Sequence, residues 1–241
     1  MPKNVEKMTI IYSPNFDMQK RNKKKIKYLI FHYTGMNSDK SAIKKLTDIK
    51  SKVSTHYYVT KMGKLIQIVP DLYVAWHAGK SSWKNHKSIN KYSIGIEISN
   101  PGHQHGYKKF NKKQINSLIK LSKFLINKYK IKKINILGNS DISPLRKKDP
   151  GEKFPWKKLA KKNIGVWHNL DDNYCKKLRR INDQININAF INNLRKLGYF
   201  INSFKLKNNQ KIIKSFQRRF RPGLINGKVD KECVEILKSL I

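Results

Sequence analysis

Three places in the chain hold side chains able to polarise, protonate or ligate. His32 closes the run Phe31-His32-Tyr33-Thr34. Glu97 is the one acid of Ser93 to Ser99, SIGIEIS. The stretch Gly138 to Trp156, GNSDISPLRKKDPGEKFPW, crowds Asp141, Arg146, Lys147 and Asp149 among glycines and prolines. A lone histidine at a strand end is more often structural, and a lone strand carboxylate more often faces water. The loop is the stronger signal, because loops at strand ends are where sites are built. A neutral imidazole, a carboxylate and an open position are what a catalytic zinc requires. His32 and Asp149 have the chemistry of such ligands, although their spacing alone does not join them.

The elements that must position these groups follow from periodicity. Ile26 to Tyr33, β-branched and aromatic, reads as a strand that ends at His32. Ser41 to Ile49 carries Ile43, Leu46 and Ile49 at helical spacing. Ser54 to Thr60 and Leu65 to Val69 read as two strands joined by a hairpin turn at Lys61 to Lys64. In Ser93 to Ser99 the alternation of Ile94, Ile96 and Ile98 sets Glu97 on the opposite face. Asn111 to Tyr129 has the apolar stripe of an amphipathic helix, and Asn135 to Gly138 is a short strand that feeds the loop. Lys157 to Gln184 is polar and reads as irregular. Ala189 to Leu197, Asn209 to Phe220 and Asp230 to Leu240 read as three further helices, with Asp230 a natural N-cap. This order predicts an α/β fold, a central mixed sheet flanked by helices, followed by a small all-α unit.

Composition narrows the function classes. The chain has 241 residues, enough for one ordinary domain and a small second one. Its 53 Lys+Arg against 15 Asp+Glu give a net charge of +38, a balance that attracts polyanions. The lysines are spread along the whole chain, however, and accompany many Ile and Asn residues, as a coding bias would leave them. No specific nucleic-acid partner is expected from charge of this kind. Cys175 and Cys233 are far apart and lack metal-ligand spacing, so free thiols are expected. The first 25 residues show no apolar stretch of signal-peptide length, and no run is long enough to span a membrane. A cytoplasmic location is the expectation, with the periplasm as the alternative.

Six segments, in order, resemble the type-2 N-acetylmuramoyl-L-alanine amidases, relatives of the peptidoglycan recognition proteins. They are SPNF (Ser13 to Phe16), FHYTGM (Phe31 to Met36), VSTHYYV (Val53 to Val59), AWHAG (Ala75 to Gly79), NKYSIGIEISNPG (Asn90 to Gly102) and the loop Gly138 to Trp156. The resemblance implies an amidase domain over residues 8–168 and hydrolysis of the bond between N-acetylmuramic acid and L-alanine. The implied substrates are peptidoglycan or muropeptides, in wall turnover. It implies Zn2+ as cofactor, with His32 and Asp149 as ligands. The family's second ligand histidine falls at Asn139, so this chain has GNSD where the family has GHSD. An amide oxygen is a weaker zinc ligand than imidazole. The site therefore binds zinc through Asn139, recruits His56 or His77, or serves a non-catalytic binder of wall fragments. Glu97 stands at the family's general base and Lys147 at its oxyanion stabiliser. Trp76 and His77 are placed to line the groove and touch sugar or peptide, with core packing as the competing role for Trp76.

After a linker at 169–185, residues 186–241 resemble a three-helix peptidoglycan-binding module. Phe216 and Gln217 in a helix, Gly227 in a turn, the cap Asp230 and the apolar Leu237 carry that likeness. The implied role is attachment to the wall.

Overall fold

The computed structural model describes residues 8–181, 184–201 and 206–241. Residues 1–7, two residues of the expected linker, 182 and 183, and residues 202–205 lie outside the described residues. The first half of the chain forms β1 (Thr9–Ile10), β2 (Phe16–Asp17), β3 (Tyr28–Tyr33), α1 (Asp39–Thr47), β4 (Tyr57–Val59) and β5 (Leu65–Gln67). Next come β6 (Val74–Ala75), β7 (Ser82–Trp83), β8 (His86–Lys87), β9 (Ser93–Ile98) and α2 (Lys112–Tyr129). Then follow β10 (Ile136–Gly138), α3 (Asn139–Ile142), α4 (Trp156–Ala160) and α5 (Asp172–Leu178). The C-terminal helices are α6 (Ile187–Leu197), α7 (Leu206–Phe220) and α8 (Lys231–Lys238).

The main sheet has six strands in the order β1-β5-β4-β9-β3-β10. Its centre, β4-β9-β3-β10, is parallel, while β5 runs antiparallel to β4. Parallel strands are covered on both faces, which is why β3 is buried along nearly its whole length. On one face Leu29, Phe31, Ile94, Ile96 and Ile98 pack against Ile115, Leu118, Leu121 and Leu125 of α2. The α2 helix starts on a capping box in which Asn111 and Gln114 satisfy each other's backbone N–H. On the other face Tyr28, Ile30 and Leu137 share one apolar cluster with Phe190, Leu194, Phe216, Ile236 and Leu237. The core thus runs across the segment expected to be a linker, and the C-terminal helices form the third layer of the sandwich. No helix among the described residues is long and apolar enough to cross a membrane.

Several expected elements are present with shifted ends. The first helix starts at Asp39 because Ser38 caps it, its hydroxyl accepting from the Ser41 N–H. The strand expected from Ser54 pairs only at Tyr57–Val59, because the Ser54 and His56 N–H groups are drawn to the carbonyls of Trp76 and Gly95. Lys157 to Gln184 is not irregular throughout. The Asp171 side chain accepts from the Asn173 and Tyr174 N–H groups and starts α5, whose Cys175 and Leu178 are buried. Both cysteines are free and buried. Within the C-terminal layer, Gln217 locks the turn that follows it: its oxygen accepts from the Gly227 N–H and its nitrogen donates to the Lys228 carbonyl.

Candidate active site

The parallel register sets His32 of β3 beside Glu97 of β9. Alternation along β9 turns Ser93, Gly95 and Glu97 to the face opposite the isoleucines, so both site groups point the same way at the carboxyl ends of their strands. In open α/β sheets that edge is where ligands bind. The strand beyond His32 is β10, and its end delivers Asn139 directly. The loop then returns Asp149 to the same place: the Ser140 N–H donates to the Asp149 carbonyl at 2.8 Å. Asp149 Oδ2 stands 3.2 Å from His32 Nδ1, and Glu97 Oε1 stands 4.0 Å from it. The amide nitrogen of Asn139 donates to both Asp149 oxygens, at 3.2 and 3.0 Å.

All seven candidates of the sequence reading (His32, Trp76, His77, Glu97, Asn139, Lys147 and Asp149) line one pocket of about 440 Å3. Burial pushes the Glu97 carboxyl up to about 7, against the opposing pull of His32. Burial also works against the Asp149 charge, but the His32 ring, the Lys147 charge and the Asn139 amide together hold its carboxyl below the ordinary value. The Trp76 indole N–H donates to Asp17 at 2.7 Å, which fixes its ring at the pocket rim.

His77 lines the pocket and is also tied into the protein behind it. Its Nδ1 lies 3.0 Å from His32 Nε2 and its Nε2 lies 3.0 Å from Ser93 Oγ. Both nitrogens are therefore engaged inside the protein. The Ser93 hydroxyl donates to the Ile89 carbonyl, so it accepts from His77 Nε2–H. That leaves His77 Nδ1 as the acceptor of His32 Nε2–H, and turns His32 Nδ1 toward the carboxylates. Burial and the neighbouring His32 keep His77 well below its ordinary pKa, in line with a neutral relay. His56 is engaged as fully: its Nδ1 accepts from the Gly95 N–H, and its Nε2 lies against Arg21 and the Tyr73 carbonyl.

This arrangement tests the donor set for a metal. With Nε2–H given to His77, His32 Nδ1 points at Asp149 Oδ2 from 3.2 Å, a contact that calls for a proton or a cation between the two atoms. Asn139 Oδ1 and Glu97 Oε2 are buried without a hydrogen-bond partner. Among the described residues no group of three His, Cys, Asp or Glu side chains is arranged as a metal cage. With His56 and His77 already bonded within the protein, the Asn139 amide is the remaining group beside His32 and Asp149; its nitrogen is the atom turned to Asp149, so its oxygen would face a metal there once the amide is turned over. One imidazole, one carboxylate and one orphaned amide oxygen fit a divalent ion with an open position.

Three residues of the site received no role from sequence. Ser93 and Gly95 read as ordinary strand positions, yet a Cβ on Gly95 would stand 2.4 Å from His77 Cγ, so only glycine admits the relay. Arg146 straps the loop to the segment before β7 by donating to the Ala78 and Lys80 carbonyls, both at 2.9 Å. The glycine inside an isoleucine-alternating strand was the available signal for a close approach.

Comparison with known proteins shows what the chain as a whole is similar to. The family profile of N-acetylmuramoyl-L-alanine amidases matches residues 22–152. The chain is 36% identical over 231 residues to the N-acetylmuramoyl-L-alanine amidase AmiD of Escherichia coli, covering 90% of this chain and 83% of that one. It is 31% identical over 166 residues to the 1,6-anhydro-N-acetylmuramyl-L-alanine amidase AmpD of Haemophilus influenzae, covering 61% and 88%. Among solved structures, AmiD from E. coli in complex with anhydro-N-acetylmuramic acid-L-Ala-D-gamma-Glu-L-Lys superposes with a TM-score of 0.80 at 32% identity, over 93% of this chain and 91% of that one. AmpDh3 from Pseudomonas aeruginosa in complex with anhydromuramic pentapeptide gives 0.81 at 28%, over 94% and 95%. A sheet that sets His32 beside Glu97, a loop that returns Asp149 to them, and likeness over nearly the whole chain place this protein in the N-acetylmuramoyl-L-alanine amidase family.

Proposed function

We propose that this chain is a zinc-dependent amidase that cuts the bond between N-acetylmuramic acid and L-alanine in anhydro-muropeptides or peptidoglycan, during wall turnover. The observation that carries the reading is the convergence of His32, Asp149, Asn139, Glu97 and Lys147 on one pocket. The relatives solved with anhydromuramyl peptides support that substrate class. His32 through Nδ1, Asp149 through its carboxylate and Asn139 through Oδ1 would hold the zinc. Bound there, zinc supplies Lewis acidity toward the amide carbonyl and toward water. The Ser93–His77 relay keeps the His32 proton on Nε2 and the ring fixed. Glu97 takes the proton of the attacking water on its carboxylate and passes it to the amine of the departing L-alanine. Its burial gives the carboxyl an affinity for protons near neutrality, which suits both halves of that transfer. The Lys147 ammonium lies in the same pocket and balances the charge of the tetrahedral oxyanion. Trp76 offers its ring to the sugar or peptide at the rim.

A second reading, a wall-fragment binder without turnover, is favoured by the amide at position 139. The test is incubation of zinc-loaded protein with a defined anhydro-muropeptide, followed by mass spectrometry for free peptide. Release of the peptide beginning at L-alanine supports the amidase. Tight binding of the fragment with no release by folded, metal-loaded protein sinks it in favour of the binder.

A further inference from the structure

The loop that carries Asn139 and Asp149 is gripped from below by the C-terminal layer. Asp141, on the same four-residue helix as Asn139, is 1% exposed. Its Oδ2 accepts from the Gly138 N–H at 2.8 Å and from Arg219 at 2.5 Å. Its Oδ1 accepts from the Tyr199 hydroxyl at 2.7 Å. Arg219, 3% exposed, also donates to the Ile136 carbonyl of β10 at 3.0 Å, and its guanidinium lies 4.3 Å from the Trp156 ring centre. Ser140 is held on both sides. Its N–H binds the Asp149 carbonyl, and its own carbonyl accepts from Ser215 Oγ of α7 at 2.6 Å. The contacts made by Tyr199, Ser215 and Arg219 each join residues more than 50 positions apart, so none of these is a local turn.

A buried carboxylate carries a large desolvation cost unless paired and fully hydrogen-bonded. Asp141 meets that condition only while Arg219 and Tyr199 are in place. The pairing therefore leaves α3 one position, and with it Asn139 and the Asp149 backbone. We propose that Arg219 and Tyr199 are positioning residues for the amidase reaction, bracing the loop that carries Asn139, Lys147 and Asp149. The C-terminal helices are then part of the catalytic framework, whatever they also do toward the wall.

The test uses the full zinc-loaded chain with an anhydro-muropeptide. Arg219→Lys keeps the charge but loses the fork that spans Asp141 and Ile136. Tyr199→Phe loses one hydroxyl. Misplacing a site by a fraction of an ångström costs rate, so kcat should fall about 10-fold or more for Arg219→Lys, and about threefold for Tyr199→Phe, with KM within about twofold. Ile236→Val, in the same layer but outside these polar contacts, should keep kcat. Hydrogen exchange of the amides from 139 to 149 should quicken in both brace variants while Tyr28–Tyr33 and Ser93–Ile98 stay protected. Wild-type kcat in Arg219→Lys and Tyr199→Phe, or unchanged loop exchange, overturns the brace. If Arg219→Lys does not fold, Tyr199→Phe decides by the same two readouts. The kinetic arm rests on the proposed amidase function: a wild-type protein without turnover sinks that function, and the exchange arm still decides the brace.

Discussion

Replacing Gly95 by alanine tests the relay behind His32 at its most constrained point. The new Cβ would lie 2.4 Å from Cγ, 2.6 Å from Nδ1 and 2.7 Å from Cδ2 of the His77 ring. Carbon atoms rest about 3.5 to 4.0 Å apart, so the ring must retreat by about 1 Å or more. It has nowhere to go while it bonds His32 and Ser93 at 3.0 Å each. Overpacking of this kind costs about 1–3 kcal/mol. Leaving the His32 N–H without its acceptor adds about 1–3 kcal/mol. For a chain of this size each kcal/mol lowers Tm by about 2–4 °C, so Gly95→Ala should lose about 4–24 °C. Loss of an outer partner of a ligand histidine weakens metal binding about 10- to 100-fold. Thermal melts of the metal-free protein and zinc titration against a competing chelator read the two effects separately. Ser93→Ala, which removes the acceptor without adding volume, should weaken zinc binding with a smaller fall in Tm. A Gly95→Ala protein with wild-type Tm and zinc affinity would refute the relay.

Asn139→His should tighten zinc binding by about 10-fold or more, since imidazole is the better ligand; unchanged affinity in a folded variant means residue 139 does not face the metal. Glu97→Gln should reduce turnover by about 100-fold or more while zinc affinity stays within a few-fold, because Glu97 serves the proton and not the metal; wild-type turnover would remove it as the base. Acid stability should report on Asp71, where burial opposes the charge but bonds from Lys128, Tyr129 and Tyr57 outweigh it and hold the carboxyl below its ordinary value. A carboxyl depressed in the folded state adds stability above its unfolded pKa of about 3.9 and loses it as pH falls through the folded value. The Tm of Asp71→Asn should thus approach that of the wild type below about pH 4, and a constant gap at all pH values would contradict the sign.

The pairing of His32 with Glu97 was open to sequence reading because period-two alternation and strand ends carry it. The return of Asp149 came from the family resemblance alone. It depends on Ser140 holding the Asp149 backbone and on Pro and Gly geometry that no periodicity encodes. Strands of two residues such as Val74–Ala75 and Ser82–Trp83 have no period to read. The irregular reading of Lys157 to Gln184 overlooked the cap at Asp171, since α5 has only seven residues and a polar outer face. The largest miss was the setting of the C-terminal helices. Their amphipathic stripes were legible, but the surface they cover was not. Gly198 lies so close to Trp83 that an added Cβ would meet the indole at 2.4 Å, and Tyr199 packs on the same ring edge-on at 5.0 Å. Such fits between distant segments appear only in three dimensions. The partners of His77 were hidden for the same reason, as they lie 45 and 16 positions away.

The apolar cluster that joins Tyr28 and Ile30 to Phe216 and Leu237 also orders events during synthesis. One face of the sheet stays uncovered while some two hundred further residues are being translated, and strand edges and apolar faces exposed for that interval invite wrong partners. Contacts of such long sequence separation also slow folding, because the loop must close before they contribute. A ribosome that stalls before α8 would release a chain with an exposed apolar face. Quality control by proteases and chaperones would meet that chain first. In this amidase the loop that carries Asn139 and Asp149 gains its contacts to Tyr199, Ser215 and Arg219 only once those later segments have been made.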